Sequence, residues 1–271
     1  MAPTPKQYDV VIVGAGVCGT ALAYLLSQYT NIERILILEK CDDVAQINSR
    51  VSNNSQTLHF GDIETNYTLE KAHKVNRAAS LVQQYLLKND PQQAIYSKYH
   101  KMVLAVGDEQ TNLLQKRYRE FKALFPHLRM IDRTEIAAIE PNILNGRDPD
   151  VNVQALFTEE GYAVDFQKLA KSFLDSACQG GKGTVEVQFG TQVTRLEKVE
   201  AGYCVHTDSS NPQPIIAKTV VIAAGAYSLL FAKTLGYGRD YALLSVAGSF
   251  YKARSLLNGK VYTLQSQFIF G

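Results

Sequence analysis

The chain has 271 residues, 46% of them apolar, which is enough for a substantial core in one large domain or two intertwined ones. Its formal net charge is +2, so no charge excess points to a nucleic-acid partner. The four cysteines form no CxxC pair, and the sequence therefore predicts no metal site built on closely spaced thiolates.

The N-terminal stretch MAPTPKQ lacks the charged and apolar regions of a secretory signal, and we expect an intracellular, reducing compartment. A β-branched run at Val10–Val13 then predicts a strand that is buried on both faces. The glycine motif GAGVCG follows directly. In such a motif Gly14 makes the tight turn, Gly16 lets the backbone approach a pyrophosphate, and Gly19 lets the following helix pack on the strand.

A second predicted strand, Ile35–Leu38, ends at Glu39, whose carboxylate can accept hydrogen bonds from a ribose diol. The strand, the glycine motif, the helix and an acidic residue about 20 positions further on together predict dinucleotide binding. The alternative is a structural glycine turn with Glu39 as a surface carboxylate. The motif alone does not choose between NAD and FAD.

The next stretch, SNNSQTLHFGDI at Ser52–Ile63, is predicted to be a loop, and it precedes a predicted helix from about residue 69 to 87. Its small hydrogen-bonding side chains and its glycine suit a loop that lies against a cofactor, where donors and close backbone approach are both needed. A solvated loop would explain the same residues. The single imidazole of the stretch, His59, suits a group that takes up a proton near neutrality.

The second half of the chain predicts one more helix, several short strands and a second glycine-containing turn. Asp165 is positioned to cap a helix whose inner face uses Phe166, Leu169, Phe173 and Leu174. The alternating segments VEVQF, TQVTRLEKV and GYCVHT predict a three-stranded meander. KTVVIAAGAYSLLFAKTLG then predicts a buried strand, a small-residue turn at Ala223–Ala226 and a helix.

These landmarks, in this order, resemble the FAD-dependent oxidoreductases of the D-amino-acid-oxidase-like superfamily. The resemblance rests on GAGVCG, on VVIAAGAYS as the second glycine motif, and on the EP and VDF landmarks between them. NSQTLHFG is similar to the N-S-x-x-x-H-x-G stretch of L-2-hydroxyglutarate oxidases, whereas SNNSQTLHFGDIETNYT, EEGYAVDF and SVAGSFYKA resemble malate:quinone oxidoreductases. The resemblance implies an α/β fold, with a Rossmann-like FAD-binding domain that includes a β-meander and an incomplete α+β substrate domain.

The resemblance also implies a discontinuous domain organisation, with residues 1–95 and 156–238 in the FAD-binding domain. Residues 96–155 and 239–271 would form part of the substrate domain, with strands supplied by KYHKMVLAVG and YALLSVAGSFYKA. The chain stops at LQSQFIFG without the usual return to the first domain, so we expect a truncated chain. Lys252 and Arg254 are candidate carboxylate ligands, with a solvated strand end as the alternative, and we expect the main carboxylate-binding arginines to lie beyond this chain.

By resemblance, the cofactor is FAD and no metal is expected. Gly14, Gly16 and Gly19 would hold the pyrophosphate, Glu39 would bind the adenosine ribose, and Lys40 would be a neighbouring cofactor-binding residue. The remaining cofactor-binding residues would be Asn54, Ser55 and Gln56 on the flavin side, Val193 at adenine through its backbone, and Ala224 and Gly225 against the cofactor. An ordinary buried strand residue is the alternative for Val193.

The activity implied by the resemblance is oxidation of a small-molecule L-2-hydroxy acid, with malate the leading substrate and quinone the electron acceptor. The expected location is the cytoplasm, with peripheral contact at the cytoplasmic membrane face and no nucleic-acid partner. The alternatives are an L-2-hydroxyglutarate oxidase or dehydrogenase, an amine-oxidising relative, and a truncated, catalytically inactive FAD-binding remnant. For His59, the roles of general base, hydrogen-bond donor to flavin or substrate, and structural imidazole all remain open.

Overall fold

The computed structural model describes residues 5–209, 214–244, 246 and 254–264. In chain order the strands are β1 (Lys6–Val13), β2 (Arg34–Leu38), β3 (Thr57–Leu58), β4 (Tyr96–Val106), β5 (Arg129–Ile131), β6 (Val153–Val164), β7 (Thr184–Gln188), β8 (Val193–Val199), β9 (Gly202–Thr207), β10 (Ile215–Ile222) and β11 (Lys260–Thr263). The α-helices are α1 (Val17–Tyr29), α2 (Leu69–Asn89), α3 (Asp108–Phe121), α4 (Arg133–Ile139), α5 (Phe166–Gly180) and α6 (Ser228–Thr234).

The chain divides into two compact units. The first combines Met1–Ser55 with Asp165–Gly248, and the second combines Gln56–Val164 with Ser249–Gly271. Both units are therefore discontinuous in sequence. The first break falls after Ser55 and not near residue 95, so β3 and α2 lie in the second unit. The assignment of FAD to one part and substrate to the other stays a prediction.

The first unit contains a six-stranded sheet in the order β7-β2-β1-β10-β9-β8. Strands β7, β2, β1 and β10 run parallel, whereas β10, β9 and β8 run antiparallel. The predicted meander was therefore wrong in one strand. VEVQF forms β7, which lies parallel to β2 at the opposite edge of the sheet, and the antiparallel run consists of β8, β9 and β10.

The placement of β7 has a packing cause. The helix α5 precedes it and lies with α1 over one face of the sheet, and Thr184 N donates to Glu33 O at 2.7 Å where β7 enters the sheet. The valines Val185 and Val187 then pack against the apolar cluster under these helices. An edge position beside β2 buries part of both valines, and this contact is not visible in the alternating pattern of the segment.

The central strands of this sheet are buried on both faces, as the β-branched run predicted. One face packs beneath the two helices, and its cluster includes Val10, Ile12, Ile35, Ile37, Ala23, Ala170 and Leu174. The other face packs beneath the antiparallel strands, and its cluster includes Tyr8, Val11, Leu36, Val193, Leu196 and Val205. The helix α5 begins as predicted, because the Asp165 side chain accepts hydrogen bonds from Gln167 N and Lys168 N, each at 3.0 Å.

The second unit contains a sheet in the order β11-β4-β6-β3, with β5 also paired to β6. Its core lies on both sides of the long β4–β6 pair. Residues of α2 and α3, including Ala72, Leu114 and Phe121, pack on the side of Val103, and Ile136 of α4 packs on the side of Met102. The prediction of a strand at KYHKMVLAVG is thus confirmed by β4.

The prediction of a strand at YALLSVAGSFYKA is wrong for the part that the structure describes, since residues 241–244 lie outside any strand. Residues 245 and 247–253, including Lys252, are outside the described part of the chain, as are residues 265–271 of the terminal LQSQFIFG. Arg254 is exposed. Strand β11 pairs with β4 in parallel register, with Lys260 opposite Lys101.

The EP landmark has a structural role in this unit. The fully buried carboxylate of Glu140 accepts from His100 Nε2 at 2.8 Å and from two backbone amides, Asn258 N at 2.8 Å and Gly259 N at 2.6 Å. These bonds tie the segment that precedes β11 to the end of α4. The donors satisfy a charge that would be very unfavourable if it were buried alone.

Candidate functional site

The glycine turn between β1 and α1 is fixed by the fold at two of its three glycines. Gly14 has φ +106°, and a Cβ there would lie 2.6 Å from Ala223 O. A Cβ on Gly19 would lie 2.0 Å from Gly14 O, so α1 can approach the turn only with glycine at this position. Both residues are required by the protein itself, whether or not a ligand is bound.

Gly16 differs from these two glycines because its surroundings are open. Within the part of the chain that the structure describes, a Cβ there would meet only Ser49 Oγ, at 3.6 Å, which is an ordinary contact distance. Gly16 is the N-cap of α1 and provides no side-chain cap, and Val17 N donates to Ser49 Oγ at 3.2 Å. The packing of the protein does not explain a glycine at residue 16, whereas a phosphate group seated on the helix N-terminus would.

The carboxylate of Glu39 lies beside this turn at the end of β2. The residue is 8% exposed, and its two oxygens accept from Ala15 N at 2.7 Å and Cys41 N at 2.9 Å. Each oxygen retains a lone pair that can accept from a hydroxyl. Burial, together with a hydrogen bond to Glu39, raises the pKa of the Cys41 thiol, which therefore stays protonated. The neighbouring Lys40 places its ammonium 4.5 Å from the ring centroid of the exposed Tyr227.

The loop that follows Glu39 is held against the glycine turn. Ala45 N donates to Ala15 O at 3.1 Å. Further along, Asn54 Nδ2 donates to Asn48 O at 3.1 Å and to Arg50 O at 2.9 Å. The predicted cofactor residue Asn54 therefore uses its amide nitrogen to shape the loop. Ser55, at the end of this unit, is exposed.

The second glycine motif meets the first at the carboxyl ends of adjacent parallel strands. Ala223 N donates to Val13 O at 2.9 Å, which places the turn after β10 next to Gly14. Ala224 and Gly225 follow, and a Cβ on Gly225 would lie 3.0 Å from Asn48 Nδ2. In open α/β sheets, ligands bind outside the carboxyl ends of the strands. The turn after β1 and the turn after β10 thus lie side by side at the edge of the sheet where a ligand is expected.

Val193 lies away from these turns, in the core of the first unit. It is buried at the start of β8 and packs with Leu196 and Val205. This placement accounts for its apolar side chain without a ligand. Its predicted backbone contact to adenine stays a prediction.

Sequence reasoning missed several residues of this site. Ser49, Asn48 and Ala45 lie beside the glycine turns, but they come just before the stretch that was singled out. The signal available was the short polar run NSR, one residue ahead of SNNSQ. Small polar residues in a connection after a nucleotide-binding strand are the type that approaches phosphates.

In the second unit, Gln56 and His59 flank the short strand β3. Gln56 has φ +53°, and its carbonyl accepts from Val164 N at 2.7 Å. His59 comes after the strand, and its Nδ1 lies 2.5 Å from Glu64 Oε1. The His59 side chain is 43% exposed and that of Glu64 only 9%. The imidazole is therefore anchored at one nitrogen and accessible on the rest of its ring.

The second unit, which contains His59, also contains several charged side chains that contact one another. The buried Lys101 Nζ donates to Asp62 Oδ1 at 2.8 Å, and His127 Nε2 lies 3.4 Å from Asp62 Oδ2. Burial raises the pKa of Asp62, but His127 and Lys101 outweigh it, so the net pKa is below the usual value. Lys260 Nζ donates to Thr57 Oγ1 at 2.5 Å, and burial together with the charge of Lys101 lowers the pKa of Lys260. Sequence reasoning named none of these charged residues as part of the site.

Among residues 5–209, 214–244, 246 and 254–264, no cluster of three or more His, Cys, Asp or Glu could hold a metal ion. Within those same ranges, no helix combines the length and apolar character that a bilayer crossing requires.

Comparison with known sequences identifies one family. A family model described as malate:quinone oxidoreductase (Mqo) matches residues 6–263. The probable malate:quinone oxidoreductase of Campylobacter jejuni is 42% identical over 270 residues, with 96% of this chain and 59% of the relative covered. The malate:quinone oxidoreductase of Helicobacter pylori is 39% identical over 264 residues, with 96% and 58% covered. The chain thus spans a little under three fifths of the length of these curated relatives.

Comparison with solved structures supports the fold. Glycine oxidase from Geobacillus kaustophilus superposes with a TM-score of 0.72 at 19% identity, with 95% of this chain and 66% of that chain covered. L-alpha-glycerophosphate oxidase from Mycoplasma pneumoniae, with FAD bound, superposes with a TM-score of 0.66 at 24% identity, with 96% and 65% covered. At such identities the likeness shows the shared fold, and the predicted fold class is confirmed.

Proposed function

Since this chain belongs to the malate:quinone oxidoreductase family, we propose that it binds FAD and takes part in the oxidation of malate with quinone as electron acceptor. The observation that carries the cofactor proposal is the open surroundings of Gly16. Gly14 and Gly19 are explained by steric contacts within the protein, but Gly16 is not. A diphosphate at the N-terminus of α1 supplies the missing reason for glycine.

The residues of the first unit fit the parts of FAD. Gly14, Gly16 and Gly19 would form the pyrophosphate turn, and the Glu39 carboxylate would accept from the ribose hydroxyls with its remaining lone pairs. Ser49 would contribute a hydroxyl beside the phosphates. The remaining proposed contacts of this unit are those of Lys40, Asn54, Ser55, Val193, Ala224 and Gly225, and the contact of Gln56, which falls in the second unit, stays a prediction. When bound, the flavin would supply the hydride acceptor of the reaction.

His59 is the group that we propose to take the proton from the substrate hydroxyl. An imidazole can hold a proton near neutral pH, and this one is anchored through Nδ1 while much of its surface remains accessible. Proton removal by a positioned base makes the carbinol carbon a better hydride donor. The structural and donor roles of His59 are the alternatives that the tests of Glu64 below address.

Malate carries two carboxylates, so a binding site for it needs cations. Lys260 and Lys101 are register partners on adjacent parallel strands and therefore project from the same face of the sheet. Lys101 pairs with Asp62, and the charge of Lys101 is one cause of the lowered pKa of Lys260. We propose Lys260 as one carboxylate ligand, because an anion beside it would relieve this like-charge repulsion.

Quinones are lipid-soluble, and reduction of one requires access to a membrane. We therefore propose peripheral contact at the cytoplasmic membrane face. Binding to quinone-containing vesicles, measured by co-sedimentation, tests this part of the proposal. Protein that stays in the supernatant with vesicles of every lipid composition would contradict it.

The variant Gly16→Val tests the cofactor proposal directly. Its side chain would occupy the space assigned to the pyrophosphate, so we expect FAD affinity, measured by flavin fluorescence quenching, to fall at least about 10-fold. The unfolding midpoint without FAD should stay close to the parental value, because the new Cβ meets Ser49 Oγ at an ordinary contact distance. Gly180→Val is the matched control in the same unit, since its Cβ meets the flexible Gln28 side chain at ordinary contact distances. Unchanged FAD affinity in Gly16→Val would show that the motif does not bind the cofactor.

A further inference from the structure

We propose that Glu64 is the positioning residue for His59: its carboxylate accepts the Nδ1 proton and so leaves Nε2 as the nitrogen that takes up a proton. The catalytic meaning of this arrangement rests on the function proposed above. The proton arrangement itself does not, and it can be measured without any reaction.

The hydrogen bond between the two side chains is short, and it uses one of the two oxygens of the carboxylate. His59 Nδ1 and Glu64 Oε1 are 2.5 Å apart, well within hydrogen-bond distance. Among the described residues, Glu64 Oε2 is buried without a hydrogen-bond partner. The imidazole is thus the hydrogen-bond partner of this carboxylate, and the loss of His59 would leave a buried acceptor unpaired.

A neighbouring guanidinium fixes the backbone at Glu64. Arg117 Nη2 donates to Glu64 O at 2.9 Å and also to Tyr67 O, and Tyr67 N donates to Glu64 O at 3.1 Å. This clamp immobilises the turn that carries the carboxylate. Burial lowers the pKa of Arg117 to about 10, partly opposed by Glu120 and Glu64, so the guanidinium remains charged at neutral pH.

The hydrogen-bond chemistry then decides which nitrogen of His59 carries the proton. An ionised carboxylate only accepts, so the nitrogen that faces it must be N–H. In the neutral ring, the second nitrogen is left with a lone pair. This is the arrangement by which a buried carboxylate orients a general-base histidine in hydrolytic triads. In water, a neutral histidine ring carries its proton mainly on Nε2, so Glu64 would reverse the ordinary preference.

The proton position can be read by NMR of the protein labelled with 15N-histidine, at alkaline pH, which favours the neutral form of an imidazole. We expect the His59 ring of the parental chain to be in the Nδ1–H form, and Glu64→Ala to return it mainly to the Nε2–H form. Glu70→Ala is the matched control, because Glu70 lies in the same unit with its side chain 78% exposed. An Nε2–H ring in the parental protein, or an unchanged ring in Glu64→Ala, would overturn the proposal.

Kinetics of the FAD-loaded protein test the positioning role. We expect Glu64→Ala to lower kcat roughly 10²-fold while KM changes less than about 3-fold and FAD stays bound, because proton transfer is affected and binding is not. The residues act as a unit, so Glu64→Ala should cause little further loss in a His59→Gln background. An equal loss in both backgrounds would show that Glu64 acts independently of His59.

The two proposals fail in different ways. If the parental protein binds FAD but malate does not reduce it, the proposed substrate is wrong, and the NMR result alone decides the arrangement of Glu64 and His59. If malate reduces the flavin and Glu64→Ala retains parental kcat, the function stands and the positioning role is refuted.

Discussion

Glu140 offers a quantitative test of how the second unit is held together. Glu140 Oε1 accepts from His100 Nε2, Asn258 N and Gly259 N, and Oε2 shares Asn258 N. In Glu140→Ala all of these bonds are lost. Breaking a buried ionic contact from one side costs about 3–5 kcal/mol. Because residues 254–258 are exposed, water can replace some of the lost partners, and we expect a loss of about 3 kcal/mol in the free energy of unfolding.

Urea unfolding followed by circular dichroism measures this loss. With a slope of about 3 kcal/mol per M, a loss of about 3 kcal/mol lowers the midpoint by about 1 M. Glu140→Gln keeps an oxygen acceptor and should lose only about 1 kcal/mol, the difference between charged and neutral hydrogen bonds. Glu70→Ala, on the exposed face of α2, should stay within about 0.5 kcal/mol of the parental protein.

The reasoning about Glu140 would be refuted by a midpoint in Glu140→Ala within about 0.2 M of the parental value. Hydrogen exchange at Asn258 and Gly259 gives an independent readout. Both amides should exchange faster in Glu140→Ala and remain protected in Glu70→Ala.

Two further predictions concern stability. Asp165→Ala removes the N-cap of α5 and should lower the free energy of unfolding by about 1 kcal/mol, seen as a drop of about 2–4 °C in Tm. Asp165→Asn keeps a capping oxygen and should retain most of the parental stability. Equal melting temperatures for all three proteins would contradict the capping role. The folded-state pKa of Asp62 is depressed, so its contribution to stability is present above about pH 4 and is lost as the pH falls through the folded pKa. Asp62→Asn should therefore be less stable than the parental protein at neutral pH, because Lys101 stays buried without its charged partner. Between about pH 5 and pH 3, urea titrations should show a smaller loss of stability in Asp62→Asn than in the parental protein. An acid loss as large as that of the parental protein would exclude Asp62 as its source.

The elements whose cause is local could be predicted from the sequence. The turn at Gly14 uses a positive φ, the packing at Gly19 follows from its contact with Gly14 five residues earlier, and the cap at Asp165 follows from two neighbouring amides. The pairing of β7 could not be predicted in the same way. Alternating residues fit an antiparallel edge and a parallel edge equally well, and the choice depends on how α5 packs over the sheet.

The residues of the candidate site also divide into those predicted from local sequence and those brought together only by the fold. The glycines and Glu39 belong to one motif with fixed spacing, so sequence reasoning located them together. The pairing of His59 with Glu64 depends on the path of the HFGDIE turn, and the clamp from Arg117 comes from α3, far along the chain. His59 was therefore found as a lone residue, and the carboxylate that orients it was visible only in the folded chain.

Anaerobic addition of L-malate to the FAD-loaded protein directly tests the proposed oxidation of malate. We expect the visible flavin absorbance to bleach as malate reduces the cofactor, and added quinone to restore it. A flavin band that persists at saturating L-malate would contradict malate oxidation by this family member.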